Sequence, residues 1–361
     1  MKKLFCLIIA LLLCTSFVLA EAPISYQDVL SGNNPIPDIA ERVRPAVVSI
    51  HVTQESWDAT TRISSENELS SGSGCYILQN EETGYILTNY HIVEGGDGFT
   101  ISWLNGDENE AELVGYDDGT DIAVLSFSGA APESVQPIPF GDSDALQIGE
   151  LVISIGNPGI IGQDTMFYGT VTAGIVSGIG QISTSDNFSR SASVIQTDAA
   201  LNFGNSGGAL LNAQGELVGI PTIKYIIYYE GLGFCVPMNS IRDYIDQIIQ
   251  TGHVQRPMLG ITVIDVDGPE TPMKNYPPIG LQIMTIDENG PAKDSGLQVG
   301  DIICEANGNR VHNFMELTRY IDACQPGDGL ELKVYRYYDQ NNAPLDKFQE
   351  VFATIYPEIL N

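Results

Sequence analysis

The sequence predicts an all-β body in two comparable halves, each a barrel or a sandwich, followed by a small α+β module. Three observations carry this expectation. From residue 45 to about residue 237 the chain alternates short β-branched or aromatic segments with Gly, Asn, Asp and Pro, and no helical periodicity intervenes. A polar break at residues 129–137 splits that stretch in two. Beyond residue 256, four strand-like segments surround one helix-like segment.

The first twenty residues stand apart from this body. Lys2 and Lys3 precede an uncharged apolar run from Leu4 to Val18-Leu19-Ala20, the layout of a secretory signal cleaved before Glu21. An uncleaved anchor, at the short end of membrane-spanning lengths, is the alternative. Cys14 is a poor lipid-attachment site because bulky Leu13 precedes it. Residues 21–40 form an N-terminal segment and residues 41–250 the β body.

In the first half the strands are VVSIHV (47–52), SGCYILQN (73–80), GYILTNYHIV (84–93), FTISWL (99–104) and DIAVLSF (121–127). Residues 54–70 are polar and aperiodic and read as an exposed loop. The second half supplies LVISIG (151–156), GTVTAGIVSG (169–178) and GELVGIPT (215–222). NSIRDYIDQII (239–249) is apolar at three- and four-residue steps after a Ser or Asn cap, the mark of an amphipathic helix. The second module, residues 256–361, mixes LGITVI, GLQIMTI, DIICEANG and LELKVYRYY with a helix at about 313–323, stopped by Pro326-Gly327.

Composition limits the function. With 43% hydrophobic residues over a length of 361, the chain builds real cores and is not disordered. Its 46 acidic and 16 basic residues give a formal charge of −30, which repels phosphates and anionic membranes and argues against nucleic acid as a partner. Apart from Cys6 and Cys14 of the leader, Cys75, Cys235, Cys304 and Cys324 are too few and too scattered for a disulfide framework and lack zinc spacing. Cys304 and Cys324 share one module and either pair or remain free thiols. No metal or cofactor is expected.

The segment LNFGNSGGAL (201–210) sets Ser206 in a knot of glycines. A serine hydroxyl is a weak nucleophile, so chemistry here requires a base and a group that orients it. Of the four histidines, His253 lies at the module boundary, His312 in the second module and His51 in mid-strand. His91 follows the end of a strand and precedes a Gly-Gly-Asp-Gly turn, a rim position where catalytic groups are displayed. Asp121 heads the apolar strand DIAVLSF, where a carboxylate is easily half buried, whereas Asp117 and Asp118 are turn formers. The order His91, Asp121, Ser206 is that of chymotrypsin-type triads, not of subtilisin or the α/β-hydrolases. Amides of Gly204 and Ser206 directed at one oxygen form an oxyanion hole, and Gly207 and Gly208 let the chain pass close behind.

With these residues placed, the chain resembles the HtrA (Deg) family of trypsin-like serine proteases that carry a C-terminal PDZ domain. The matching stretches are SGSGCYI, GYILTNYHIV, DIAVLS, GTVTAGIVSG, IQTDAALNFGNSGGALLNAQGELVGI and GLGFCVPMNSI, then RPMLGI and GPAKDSGLQVGDIICEANGNRV. The resemblance implies two six-stranded chymotrypsin-like β-barrels followed by an α+β PDZ domain. It also implies His91, Asp121 and Ser206 as the triad, a homotrimer or higher multiple, and cleavage of misfolded proteins in the periplasm, the cell envelope or outside the cell. Phe203 and Ala209 stand where the family usually has proline, which leaves the loop before the nucleophile less rigid.

Trypsin-like enzymes that cut after basic residues carry a carboxylate six positions before the serine. That position is Ala200 here, and with Leu201 and Phe203 as pocket neighbours the expectation is cleavage after small or medium aliphatic residues. A two-residue misalignment would put Asp198 there and restore basic specificity. Residues 222–231, TIKYIIYYEG, border the pocket in the family. Leu259-Gly260-Ile261 resembles the PDZ loop whose amides capture a peptide C-terminus. Asn205 replaces the aspartate that pairs with a newly cut N-terminus in the digestive enzymes, so loop ordering rather than nicking is the expected switch. The competing reading is a chaperone or sensor that holds unfolded chains with little turnover.

Overall fold

A computed structural model of the chain describes residues 34–58, 63–158, 167–184, 190–222, 231–274, 276–325, 327–338 and 343–359. The apolar leader and all of TIKYIIYYEG except its first and last residues lie outside the described residues.

The β body opens with α1 (Ile36–Val43), which buries Ile39 and Val43 in the core of the first barrel. That barrel contains β1 (Val47–Asp58), β2 (Ile63–Asn80), β3 (Thr83–Thr88), β4 (Gly98–Ser102), β5 (Glu108–Asp117) and β6 (Ile122–Ser128), closed in the order β1-β2-β3-β6-β5-β4. The second contains β7 (Leu151–Gly156), β8 (Thr170–Thr184), β9 (Arg190–Thr197), β10 (Ala209–Leu211), β11 (Leu217–Pro221) and β12 (Gly233–Pro237). It closes as β7-β8-β9-β12-β11-β10, the same connectivity six strands later. These are chymotrypsin-like barrels, and closure removes the edge strands that would otherwise offer free backbone groups to other chains. Ile153 and Ile155 of β7 and Leu217 and Ile220 of β11 pack into the same apolar cluster as Ile50, Ile86 and Leu125, so the cores meet across the seam between barrels.

Three local expectations need correction. The described parts of the polar stretch 54–70 are strand rather than loop: antiparallel pairing runs on from Thr53↔Glu68 to Asp58↔Ile63, beyond a register shift at Val52/Thr53. Gln54, Glu55, Asn67, Glu68 and Leu69 are exposed, so backbone pairing here leaves no period-2 apolar signal. GYILTNYHIV is not one strand: β3 stops at Thr88 and Tyr90–Val93 make one helical turn, α2. The amphipathic helix starts later than its composition suggests, as α3 (Arg242–Thr251) after a 3₁₀ turn at Met238–Ser240. The expected caps are used elsewhere: Asn239 bonds Asp142 and Ser143, and Ser240 donates to the Pro237 carbonyl.

The PDZ region comprises β13 (Pro257–Met258), β14 (Ile261–Val266), β15 (Gly280–Ile286), β16 (Ile302–Ala306), β17 (Asn309–Arg310), α4 (Phe314–Asp322), β18 (Leu330–Tyr338), β19 (Pro344–Ile355) and β20 (Glu358–Ile359). Its sheet runs β14-β15-β16-β18-β19, which leaves β14 at an edge. Asn313 caps α4 by accepting the Glu316 amide at 3.0 Å, while the Glu316 carboxylate accepts the His312 amide at 2.8 Å, a reciprocal capping arrangement. Arg256, at the junction of the modules, donates from both terminal nitrogens to Asp117 of the first barrel at 2.8 Å each. Cys304 and Cys324 are free thiols, as are Cys75 and Cys235. No helix among the described residues is long and apolar enough to cross a membrane.

Candidate active site

The seam between the barrels collects the residues singled out in the sequence. His91 lies on α2, just past β3, and Asp121 immediately precedes β6, which pairs with β3. The Asp121 backbone takes φ 57°, the left-handed region that a non-glycine residue occupies only when its surroundings impose it. Here the Tyr90 amide and the Asn89 side chain both donate to the Asp121 carbonyl, at 3.1 and 2.8 Å. The turn aims the carboxylate at His91: Oδ1 accepts the His91 amide at 3.0 Å and Oδ2 lies 2.8 Å from Nδ1.

Asp121 is 1% exposed, so its charge depends on these donors and on a third, the Thr222 hydroxyl, which reaches Oδ2 at 2.9 Å. A carboxylate facing Nδ1 fixes the tautomer with the proton on Nδ1. The Nε2 lone pair is then free to accept a proton.

Ser206 sits between β9 and β10 of the second barrel and is 3% exposed. Asn205 donates its amide to the Asn202 carbonyl at 2.9 Å, and Gly204 within that turn has φ 94°, the type II hand that calls for glycine at its third position. The loop is gripped from both sides. Ser73 of the first barrel donates its amide to the Ser206 carbonyl at 2.9 Å, and Gly207 donates to the Pro221 carbonyl at 3.1 Å, next to Thr222. A Cβ at Gly207 would overlap the Ser73 carbonyl oxygen and the Thr88 hydroxyl, so the loop packs directly against β2 and the end of β3. Thr222, Ser73 and Asn89 were not singled out by sequence; SGSG before β3 and the Thr after β11 were their only traces.

The expected pocket residues separate in space. Ala200 is exposed and Phe203 is 60% exposed beside Gly204. Leu201 is half buried against Leu146, Val176 and Ile195 of the second barrel, and closes on Gly233, where a Cβ would fall 2.8 Å from its Cδ1. Asp198 turns toward β8, accepting the Ile175 amide on Oδ1 at 2.7 Å. Cys75 lies behind the Ser206 loop with its Sγ 3.6 Å from the Gly207 carbonyl, and burial pushes the thiol far above its ordinary range.

In the second module, Leu259 is buried, Gly260 has φ 69° and Ile261 begins β14. These residues line a groove of about 710 Å³ between β14 and Phe314, Leu317 and Ile321 of α4, with Tyr244 and Thr120 of the β body on its far wall.

Comparison with known proteins agrees with this geometry. Residues 72–220 match a trypsin-like peptidase domain and residues 257–346 match a PDZ domain. The chain is 38% identical over 323 residues to the serine protease Do-like HtrB of Bacillus subtilis, covering 85% of this chain and 69% of the relative. It is 32% identical to the periplasmic pH-dependent serine endoprotease DegQ of Escherichia coli, over 96% of this chain and 78% of that one. Among solved structures, the HtrA-type protease AlgW with decapeptide superposes with a TM-score of 0.69 at 28% identity, covering 90% of this chain and 99% of that one. These matches show that the chain belongs to the HtrA/Deg family of serine proteases and is a serine endopeptidase with one PDZ domain.

Proposed function

We propose that His91, Asp121 and Ser206 form the catalytic triad of an exported endopeptidase that degrades misfolded proteins. The observation that carries this reading is the 2.8 Å contact between His91 Nδ1 and the buried Asp121 carboxylate. His91 Nε2 takes the Ser206 proton as Oγ attacks the scissile carbonyl, Asp121 steadies the imidazolium, and the amides of Gly204 and Ser206 hold the oxyanion. Deacylation reverses the proton path with water as nucleophile. Hydrolysis of an unfolded protein such as casein by wild type but not by Ser206→Ala tests the assignment; equal hydrolysis by both would leave a holdase as the better reading.

The pocket favours cleavage after small or medium aliphatic residues. Leu201 narrows it against Gly233, and the Asp198 carboxylate is occupied by the Ile175 amide. Dominant cleavage after Lys or Arg in a peptide-library digest would contradict this specificity. The PDZ groove takes hydrophobic peptide C-termini, with the peptide adding a strand to the β14 edge and its carboxylate meeting the Leu259-Gly260-Ile261 loop.

Export is supported by the N-terminal sequence and by relatives named as periplasmic. Assembly as a trimer or higher multiple is inferred from the family alone. Asn205 is a buried neutral amide and cannot form an ion pair with a new N-terminal ammonium, so activation proceeds by ordering of the 202–206 loop rather than by nicking.

A further inference from the structure

We propose that Ser73 is a positioning residue of the peptidase: from the first barrel, it fixes the Ser206 loop of the second barrel against the strand end that leads into the turn carrying His91. The proposal rests on the triad reading above. Nucleophile and base belong to different barrels, and a displacement of about 1 Å between reacting groups costs about 10² in rate. Some element has to hold the two barrels in register at this point.

Ser73 is wholly buried in β2 and bonds the loop twice. Its amide donates to the Ser206 carbonyl at 2.9 Å and its hydroxyl donates to the Gly204 carbonyl at 2.6 Å, one anchor on each side of the Ser206 amide. Its own carbonyl accepts the Thr88 hydroxyl at 2.7 Å, and Thr88 lies three residues before His91. The route from nucleophile to base therefore runs through two hydrogen bonds, by way of Ser73 and Thr88.

The hydroxyl is itself oriented. Its oxygen accepts the Asn157 amide at 2.8 Å, which directs its single proton to Gly204. Asn157 is held in turn, donating from Nδ2 to the Val48 carbonyl and accepting the Gly169 amide on Oδ1, both at 2.7 Å. The flanking glycines give Ser73 its seat: a Cβ on Gly72 would fall 2.8 Å from Ile92 Cδ1, and one on Gly74 would fall 2.8 Å from Ile50 Cδ1. The pattern Gly72-Ser73-Gly74 is thus two glycines clearing the strand's inner face while the serine between them faces the other barrel.

Ser73→Ala in the full chain removes only the hydroxyl and keeps both backbone bonds. The expected result is a kcat on a peptide substrate lowered by about tenfold to a hundredfold with KM within about twofold, the mark of an interaction realised in the transition state. The rate of covalent labelling by diisopropyl fluorophosphate, in which Ser206 Oγ displaces fluoride from phosphorus, falls by the same factor. Ser154→Ala is the control: its hydroxyl is also buried, on β7, without a partner among the described residues, and its loss leaves kcat unchanged. A folded Ser73→Ala enzyme with kcat within twofold of wild type overturns the proposal, as does a loss confined to KM. If Ser73→Ala does not fold, Thr88→Val decides, with a smaller fall in kcat expected and a wild-type kcat overturning it. Failure of the wild type to label at Ser206 would instead remove the triad reading.

Discussion

Replacing Gly156 with alanine is expected to slow peptide hydrolysis by roughly tenfold to twenty-fivefold while the protein stays folded. An ideal Cβ on Gly156 lies 2.8 Å from Asn205 Oδ1 and 3.0 Å from Asn205 Cα. Carbon–oxygen and carbon–carbon contacts settle near about 3.3 and 3.7 Å, so Asn205 has to recede by about 0.5–0.7 Å. The amide oxygen can swing aside, but the Cα cannot, and it is one residue from Ser206. Since about 1 Å of misplacement costs about 10², the shortfall scales to the range given. Stability changes less: overpacking costs about 1–3 kcal/mol, and the stiffer unfolded chain returns about 0.4–1 kcal/mol.

Gly180→Ala on β8 is the matched control, because no described atom lies within 4 Å of its Cβ position. Steady-state kinetics on an oligopeptide, with thermal melting of both variants, reads the two effects separately. A Gly156→Ala enzyme with kcat within twofold of wild type and a lowered melting temperature would show that the strain is absorbed away from the loop, and the reasoning would fail.

Other consequences are as direct. Asp121→Asn should keep the fold but lower kcat by about 10⁴, because an amide facing Nδ1 no longer enforces the productive tautomer; a fall under tenfold in kcat contradicts that role. Arg256→Ala leaves Asp117 buried without its bidentate partner and should destabilise the chain by about 3 kcal/mol in urea titration, with Arg256→Ala/Asp117→Asn recovering part of the loss. Iodoacetamide on the native protein should label the part-exposed Cys324 first and spare Cys75 and Cys235 until unfolding, since burial pushes both thiols up; Cys304, pushed up to about 11, should react slowly.

The fold class was legible because closed barrels write short, punctuated, β-branched segments into the chain, and LVISIG at residues 151–156 coincides with β7. β5, ENEAELVGYD, escaped notice because Glu108, Glu110 and Glu112 face solvent on a strand whose buried positions are Ala111, Gly115 and Asp117. β10 is three residues long and lies inside the serine motif, too short to carry a period. The outer ends of β1 and β2 were illegible because their described residues Gln54, Glu55, Asn67, Glu68 and Leu69 are all exposed and leave no alternating apolar face.

Within the site, His91 and Asp121 could be found because strand ends and apolar contexts narrow the candidates to one of each. What sequence could not supply was the left-handed turn at Asp121, the Thr222 hydroxyl on its carboxylate, and the Ser73 link. The turn depends on Asn89, 32 positions away, and the other two on partners 101 and 131 positions away. Only closure of both barrels brings such partners together.

The most direct test of the account is the position and dependence of covalent modification by diisopropyl fluorophosphate, read by mass spectrometry of the digested protein. The account predicts a single adduct on Ser206, formed in proportion to lost activity and suppressed in both His91→Ala and Asp121→Asn. Inactivation with the adduct on another residue, or labelling of Ser206 at the wild-type rate without His91, would contradict it.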